Sequence, residues 1–507
     1  MHRFLLPIAI AALAFAAACG GPSDDRATTA TPSPAASVAT AEPALSPGPG
    51  ATSATPSPSP APLATAVVLK PTIEEALSCR VPRSGPSGQA GQATPALQPH
   101  DLDTKRFPNA ICNDGSPAML FFRPYEGEAN RDKWVIGLAG GGGCASPQEC
   151  ADRWCGVDTN FDSDNMSTDF AGNAASADGI FVRRAENPFA NWNHVFVRYC
   201  SSDMWAGRGA SLKVSATDPA TGKPVEFAIA MTGSNVLDAA LTTLKQAPGI
   251  APLTYVRTRT TMPDLDNARE VVFAGGSAGG LGIINNLDRV AADLRAGPNH
   301  PVVRGLIDSA TPPDRGALGW EKTAGCIESG ICSREAWLKA GAARDAAGLN
   351  RLLDQSCVDW HARNRPGTEW ECIDTNHVLE HHLTTPFFVR MGLTDKLISG
   401  EVIDTGFTSG GKPLTLQGFA TLVHDLLAAL PATVAAGEER AAMTAPPGVF
   451  APSCPDHYTI YANETVYNVS VPVGGQQLTF FDTWNNWVAG KGPTVAVSSG
   501  VRGDKCR

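Results

Sequence analysis

The hydrophobic positions of this chain cluster in short, uninterrupted runs rather than in an alternating pattern. Runs of this kind are typical of strands buried on both faces, as in a parallel sheet covered by helices. The sequence predicts such strands at 118–122, 134–139, 194–200, 271–275, 303–308 and 386–392. Apolar residues at helical spacing predict helices at 234–246 and 278–296, before and after the fourth of these strands. The alternation predicts an α/β fold with a mostly parallel sheet and helices on both faces.

Two stretches interrupt the alternation and are expected to be inserts in a folded domain that spans 71–507. The first, 313–385, holds four cysteines and helix-like segments, and it lies between the last two predicted strands. A lid or a substrate-shaping element is expected at that place. The second, 403–450, contains the apolar helical pattern of 416–430.

The N-terminal part has the composition of a targeting segment followed by a tether. A basic start, an apolar run over 5–18 and small residues before Cys19 predict a signal peptide at 1–18. The ending "AAAC" resembles a bacterial lipobox, which makes Cys19 the expected site of lipidation. Ordinary secretion with loss of Cys19 is the alternative. Residues 19–70 are rich in Pro, Ala, Ser and Thr, and we expect a disordered tether that holds the domain at a membrane surface.

Charge and cysteine content narrow the possible classes of function. The formal net charge is −10 and no basic block is present, so a nucleic-acid partner is not expected. Thirteen cysteines, twelve of them after Cys19, predict disulfides in an exported chain. The sequence has no C-x-x-C pair, no H-E-x-x-H and no Walker lysine. Neither a metal nor a cofactor is therefore expected.

One serine stands among four glycines in "AGGSAGG", directly after the fourth predicted strand and before a predicted helix. This context fits the strand–turn–helix of a nucleophile elbow and predicts Ser277 as a nucleophile. A tight turn with a structural serine is the alternative. The backbone N–H of Ala278 is expected to bind an oxyanion. The glycine-rich turn Gly140 to Gly143, after an earlier strand, is expected to supply further donors.

The order Ser, Asp, His of α/β-hydrolases places the acid and the base after Ser277. The histidines available are 300, 361, 377, 381, 382, 424 and 457. His457 is favoured because it lies late in the chain, in the loop that holds Cys454. Asp395 follows the last predicted strand and is favoured as the acid, whereas Asp308 ends the preceding strand and remains a competitor.

Several segments together resemble the pectinacetylesterase/Notum family. They occur in the family's order and are "CNDGSPA" (112–118), "LAGGGGC" (138–144), "VFVRYCSSDMWAG" (195–207), "GGSAGGLGIINNLDRVA" (275–291), "VRGLIDS" (303–309) and "FAPSCPDH" (450–457). The resemblance implies an α/β-hydrolase-like fold with disulfide-bearing inserts. It implies a triad of Ser277, Asp395 and His457. It also implies an oxyanion site at Gly140, Gly141, Gly142 and Ala278.

The resemblance further implies disulfides and a modified acyl pocket. Cys144 and Cys150, and Cys326 and Cys332, match the family's short disulfide loops, and Cys112 and Cys200 are expected to pair across neighbouring strands. Ala139 and Gly142 stand where the family usually has glutamate and tryptophan. Loss of that indole ring should widen one wall of the pocket, which Met204 and Trp205 are expected to line.

The expected function is therefore a serine carboxylester hydrolase that removes O-linked acyl groups, acetyl or longer. Its substrate would be an acylated carbohydrate or another acylated extracellular molecule, and a monomer is expected. One alternative is a catalytically inactive substrate-binding lipoprotein on the same fold. Another is a serine peptidase on the same scaffold.

Overall fold

The structure is a computed structural model that describes residues 69–79, 96–157, 162–169, 178–437, 443 and 445–500. The strands in this part of the chain are β1 (Gln98–Asp101), β2 (Met119–Arg123), β3 (Lys133–Leu138), β4 (Asn193–Val197), β5 (Gly209–Thr217), β6 (Pro224–Met231), β7 (Thr254–Tyr255), β8 (Thr260–Thr261), β9 (Glu270–Gly276), β10 (Val302–Asp308), β11 (Phe387–Arg390), β12 (Thr408–Ser409), β13 (Lys412–Pro413), β14 (Gly448–Ala451), β15 (Ser470–Val473), β16 (Gln476–Thr479) and β17 (Val495–Val497). The predicted signal peptide, Cys19 and nearly all of the predicted tether lie outside the described residues.

The helices lie between these strands in the order expected of an α/β chain. They are α1 (Ile73–Ala76), α2 (Pro147–Trp154), α3 (Gly233–Leu244), α4 (Ala278–Arg295), α5 (Ala324–Ser329), α6 (Arg334–Arg344), α7 (Gln355–Asn364), α8 (Thr375–His381), α9 (Lys396–Asp404), α10 (Leu416–Ala436), α11 (Asn463–Asn468) and α12 (Phe480–Ala489). Helix α10 is long and apolar enough to cross a membrane by length and composition alone. Phe419, Val423 and Leu427 are nevertheless buried on one face of it.

A nine-stranded sheet in the order β1-β2-β4-β3-β9-β10-β11-β14-β17 forms the centre of the fold. Neighbouring strands from β4 to β17 are parallel, whereas β2 runs antiparallel to both β1 and β4. All six predicted strands are present in this sheet, and the predicted α/β class is confirmed. Strands β1, β14 and β17, of three or four residues each, were not predicted.

Both faces of the sheet are covered, which explains the uninterrupted apolar runs. In β3 the side chains of Trp134 and Ile136 belong to one core cluster, which also contains Ile283 of α4. Val135, between them, belongs to a second cluster that contains Trp484 of α12. Successive side chains of a strand point to opposite faces of the sheet, so β3 packs against helices on both faces.

Disulfides fix the segments around the sheet. The predicted pairs Cys112–Cys200, Cys144–Cys150 and Cys326–Cys332 are confirmed. Cys79–Cys155 and Cys357–Cys372 are further pairs that the sequence did not assign. The insert 313–385 contains α5 to α8, so its helical character is present, and two of these disulfides lie within it.

Candidate active site

Ser277 occupies the sharp turn between the central strand β9 and the 18-residue helix α4. Its backbone has φ 56° and ψ −126°, a conformation that side-chain-bearing residues rarely adopt. The Ser277 N–H donates to the carbonyl of Asp308 at 2.9 Å, which ties the turn to the end of β10. The turn presents the serine at the carboxyl edge of the sheet, where α/β proteins place their binding groups.

The glycines beside Ser277 are required by close packing of the turn. A β-carbon at Gly275 would lie 2.2 Å from the carbonyl oxygen of Gly279, and one at Gly279 would lie 2.2 Å from that of Leu138. Both distances are far below van der Waals contact, and the neighbouring atoms are backbone. The glycines therefore allow β9, α4 and the end of β3 to meet around the serine.

The glycine-rich turn after β3 lies next to Ser277, but only part of it is available to an oxyanion. The Gly140 N–H donates to the hydroxyl of Tyr458 at 3.1 Å, so the prediction of Gly140 as an oxyanion donor is not supported by this structure. Gly142 has φ 64°, in the left-handed region that favours glycine. Among the described residues no hydrogen bond occupies the N–H of Gly141, Gly142 or Ala278.

Helix α2 holds this turn in place. The Arg153 guanidinium donates to the carbonyl of Gly141, and Arg153 is buried. Cys144–Cys150 closes the chain between the turn and α2, and Cys155 at the end of α2 is bonded to Cys79. The short disulfide loop that the sequence predicted therefore fixes the turn beside the serine.

Asp395 and His457 form a direct pair. His457 Nδ1 lies 2.8 Å from Asp395 Oδ2 and 3.0 Å from Oδ1. Asp395 is fully buried at the start of α9, where Oδ1 accepts from the N–H groups of Leu397 and Ile398. The Lys396 N–H donates to the carbonyl of Pro455, which joins the two loops that carry the acid and the histidine.

Asp308, the alternative candidate for the acid, forms its hydrogen bonds with groups other than the His457 ring. Its Oδ2 accepts from the N–H of Ile460 at 3.0 Å and from that of Thr459, and its Oδ1 accepts from Arg390 at 3.3 Å. Both Asp308 and Arg390 are almost completely buried. Asp308 therefore anchors the chain that follows His457, whereas Asp395 contacts the imidazole itself.

The loop that carries His457 packs against the serine turn through the next residue, Tyr458. A β-carbon at Gly276 would lie 2.8 Å from Tyr458 Cδ2, and one at Gly140 would lie 2.9 Å from Ser277 Cβ. Burial raises the pKa of the Tyr458 hydroxyl well above its usual value, so the hydroxyl stays protonated. His457 Nε2 is buried and, among the described residues, has no hydrogen-bond partner, so it is not hydrogen-bonded to Ser277 Oγ.

Comparison with known proteins identifies the family of this chain. The family model described as Pectinacetylesterase matches residues 93–501. The chain belongs to the pectinacetylesterase family. It is 28% identical over 391 residues to palmitoleoyl-protein carboxylesterase NOTUM of Schmidtea mediterranea, a match that covers 76% of this chain and 62% of that protein. It is 25% identical over 354 residues to the Homo sapiens protein of the same name, covering 69% and 60% respectively. The chain thus spans about three fifths of the length of these relatives.

The fold of this pectinacetylesterase-family chain also resembles a solved structure. The Wnt deacylase Notum from Drosophila superposes with a TM-score of 0.53 at 22% identity, covering 80% of this chain and 97% of that chain. The predicted α/β-hydrolase-like architecture is therefore present in both.

Trp205 does not line a pocket in this family member, contrary to the prediction. Its side chain is completely buried, its indole N–H donates to the carbonyl of Ala139 at 3.0 Å, and its ring packs over Gly282 of α4. Trp205 therefore supports the glycine-rich turn from the core side. Met204 is half-buried, and its thioether lies against Gly143, so of the two predicted pocket residues it is the one beside that turn.

Asp203 is a residue whose importance the sequence analysis missed, although it lies in the motif "YCSSDMWAG". Its Oδ1 accepts from Ser201 Oγ and the Trp205 N–H, and its Oδ2 accepts from the N–H groups of Gly207 and Gly233. The residues on both sides of it, Ser202 and Met204, have positive φ angles. The buried carboxylate therefore holds a strained loop next to the site.

Asp203→Asn should lower the free energy of unfolding by about 1–3 kcal/mol, because an amide nitrogen would face at least one backbone N–H and leave it unsatisfied. Burial raises the pKa of the Asp203 carboxyl to about 6, so the test is best made at mildly alkaline pH, where the carboxyl is ionised. Urea unfolding measures the change, and Asp425→Asn on the exposed side of α10 is the matched control. Equal unfolding midpoints for the two variants would show that the network contributes little.

Proposed function

We propose that this chain is an exported carboxylester hydrolase in which Ser277 is the nucleophile, His457 the general base and Asp395 the acid that orients the base. The observation that carries the proposal is the 2.8 Å contact from His457 Nδ1 to Asp395 Oδ2. Among the described residues His457 Nε2 has no hydrogen-bond partner, and its loop packs on the serine turn. Catalytic hydrogen bonds are often long or poorly aligned before substrate binds, and they tighten in the substrate complex. The absence of a partner at Nε2 is therefore consistent with a base that engages Ser277 in the substrate complex.

In the first half-reaction, Ser277 Oγ attacks the ester carbonyl while His457 Nε2 takes the hydroxyl proton. Asp395 keeps the Nδ1 proton of His457 in place and stabilises the imidazolium that forms. The carbonyl oxygen becomes an oxyanion, and we expect the N–H groups of Gly141, Gly142 and Ala278 to stabilise it. Each such donor typically lowers the barrier by about 3 kcal/mol.

Collapse of the tetrahedral intermediate breaks the ester C–O bond, and His457 returns its proton to the leaving alcohol. In the second half-reaction His457 takes a proton from water, which attacks the acyl group bound to Ser277. The carboxylic acid leaves and the serine is regenerated. These steps require no cofactor, because the nucleophile, base and oxyanion donors all belong to the chain.

The substrate class follows from the family and from the altered turn. The relatives are named for removal of palmitoleoyl groups from protein, and the family for removal of acetyl groups from pectin. We propose that this chain removes an O-linked acyl group from a carbohydrate or another extracellular molecule. Gly142, with its left-handed backbone and no side chain, leaves the turn without the indole ring expected of the family.

We also propose that the protein acts outside the cytoplasm, held to a membrane through lipid at Cys19, as a monomer. The five disulfides in the described part of the chain support export, because such bonds persist in oxidising compartments. Radiolabelled palmitate incorporated into the wild-type chain, and not into Cys19→Ala, would test the anchor.

A series of p-nitrophenyl esters from acetate to palmitate, assayed with the full chain, tests the proposed activity. We expect hydrolysis at rates well above the uncatalysed reaction, and kcat/KM values that rank the acyl lengths. A p-nitroanilide peptide in parallel should give little product. Absence of turnover with every ester, in protein whose disulfides and fold are intact, would contradict the proposal.

A further inference from the structure

Three histidines of the insert 313–385 converge on one point, apart from the residues proposed for catalysis. His361 lies on α7, His377 on α8 and His382 directly after α8. His377 Nε2 lies 2.9 Å from His361 Nε2 and 3.3 Å from His382 Nε2. His361 and His382 are completely buried, and the side chain of His377 is 11% exposed.

The partner of His361 on its other ring nitrogen fixes the tautomer of this side chain. Thr368 Oγ1 donates its hydrogen to the carbonyl of Arg365 at 2.6 Å. The same oxygen lies 2.7 Å from His361 Nδ1, so it accepts the Nδ1 hydrogen. The neutral ring then has a lone pair on Nε2, directed at His377. Metal-binding histidines are typically oriented in this way, by a hydrogen bond from the nitrogen that does not bind the metal.

Hydrogen bonding between the rings explains only one of the two short contacts. An imidazole nitrogen carries either one hydrogen or one lone pair in the ring plane, so His377 Nε2 serves one neighbour at a time. A cation between the three nitrogens would accept a lone pair from each. Zinc–nitrogen bonds of about 2.0–2.1 Å in a tetrahedral site place neighbouring nitrogens about 3.3 Å apart, close to the observed separations.

The surroundings favour neutral rings that can bind a metal. His361 and His382 are completely buried, and burial disfavours the charged form of an imidazole. Imidazole ligands suit zinc, copper and nickel rather than magnesium or calcium. Glu371 Oε2 lies 4.0 Å from His377 Nε2, and Arg365 pairs with the same carboxylate at 2.7 Å.

We propose that His361, His377 and His382 bind a divalent transition-metal cation of the zinc class through their Nε2 atoms. Cys357 is four residues before His361 on α7, and its sulfur belongs to the same group of possible ligand atoms, all within 4.8 Å of one another. Its bond to Cys372 removes the thiolate, so the fourth position is left to a water molecule. The metal would join α7 to α8 beside this disulfide and stabilise the insert.

The test uses the full chain without an added histidine tag, treated with a chelator and kept under non-reducing conditions. Calorimetry with Zn²⁺ should show one tight equivalent, and Zn²⁺ should raise the melting temperature. Co²⁺ should give the intense visible absorption of a tetrahedral site, without a thiolate charge-transfer band. His377→Gln should weaken Zn²⁺ binding at least about 100-fold, as expected for loss of one of three protein ligands. His424→Gln, on the exposed face of α10, should leave binding unchanged.

Near-UV circular dichroism and ester hydrolysis of each variant show whether the fold survives the substitution. His382→Gln provides a second variant if His377→Gln does not fold. If neither variant folds, the metal-binding experiments on the wild-type protein are the test. Absence of a stoichiometric Zn²⁺ or Co²⁺ complex would overturn the proposal and show that the imidazoles are joined only by hydrogen bonds. Binding of equal strength in folded His377→Gln or His382→Gln would overturn it too.

Discussion

Ser277→Ala should abolish ester hydrolysis, with kcat lowered by about 10⁴- to 10⁶-fold, because removal of the nucleophile leaves only binding and oxyanion stabilisation. The fold should survive. Among the described residues the Ser277 side chain makes no hydrogen bond, and the backbone bond from Ser277 N–H to Asp308 does not depend on the hydroxyl. We expect the melting temperature of the variant to lie close to that of the wild type. Turnover of a p-nitrophenyl ester and covalent labelling by a fluorophosphonate probe measure the loss.

Ser470→Ala on β15 is a matched control, since it removes a hydroxyl that bonds only to Gln477 in the described structure. It should retain both turnover and labelling. Wild-type protein that neither turns over an ester nor reacts with the probe would favour the catalytically inactive binding protein. Undiminished labelling of Ser277→Ala would place the nucleophile elsewhere.

The parts of this fold that the sequence predicts well are those set by local chemistry. Strand β9, the turn at Ser277 and helix α4 are contiguous, and a buried strand, clustered glycines and an amphipathic helix each leave a local pattern. The short disulfide Cys144–Cys150 likewise closes a loop within one segment. Such features need no knowledge of how distant segments pack.

The features that sequence analysis missed depend on tertiary contacts. The direction of the Gly140 N–H is set by Tyr458, which lies 318 residues later in the chain. Trp205 is in the core because the loop held by Asp203 turns its ring towards Gly282. The histidine cluster leaves only a weak sequence pattern, Cys357 and His361 four residues apart. His377 lies on another helix, α8, and His382 follows that helix.

The sequence also could not decide strongly between Asp395 and Asp308. Asp308 ends β10 and Asp395 follows β11, and these neighbouring parallel strands end at the same edge of the sheet. Sequence order and strand ends therefore favour neither strongly. The structure separates them by their partners. Asp395 contacts the His457 ring, whereas Asp308 binds Arg390 and the backbone after His457.

Asp395→Asn should lower kcat by about 10⁴-fold while the protein stays folded. Asparagine can keep its Oδ1 at the start of α9, where it accepts from the N–H groups of Leu397 and Ile398. The amide nitrogen then takes the place of Oδ2, 2.8 Å from His457 Nδ1. Because the amide donates, Nδ1 must accept, and the ring hydrogen moves to Nε2. A histidine in that tautomer has no lone pair with which to take the proton of Ser277.

Asp308→Asn is the discriminating comparison, because it should fail for a different reason. Loss of one charge from the buried Asp308–Arg390 pair leaves the guanidinium uncompensated, and such changes typically cost about 3–5 kcal/mol of stability. We expect its melting temperature to fall together with its activity, whereas Asp395→Asn should lose activity at nearly unchanged melting temperature. Circular dichroism melts and p-nitrophenyl acetate turnover on the same samples measure both quantities. If Asp395→Asn kept most of its turnover while a well-folded Asp308→Asn had none, the orienting acid would be Asp308, and the 2.8 Å contact of Asp395 would have only a structural role.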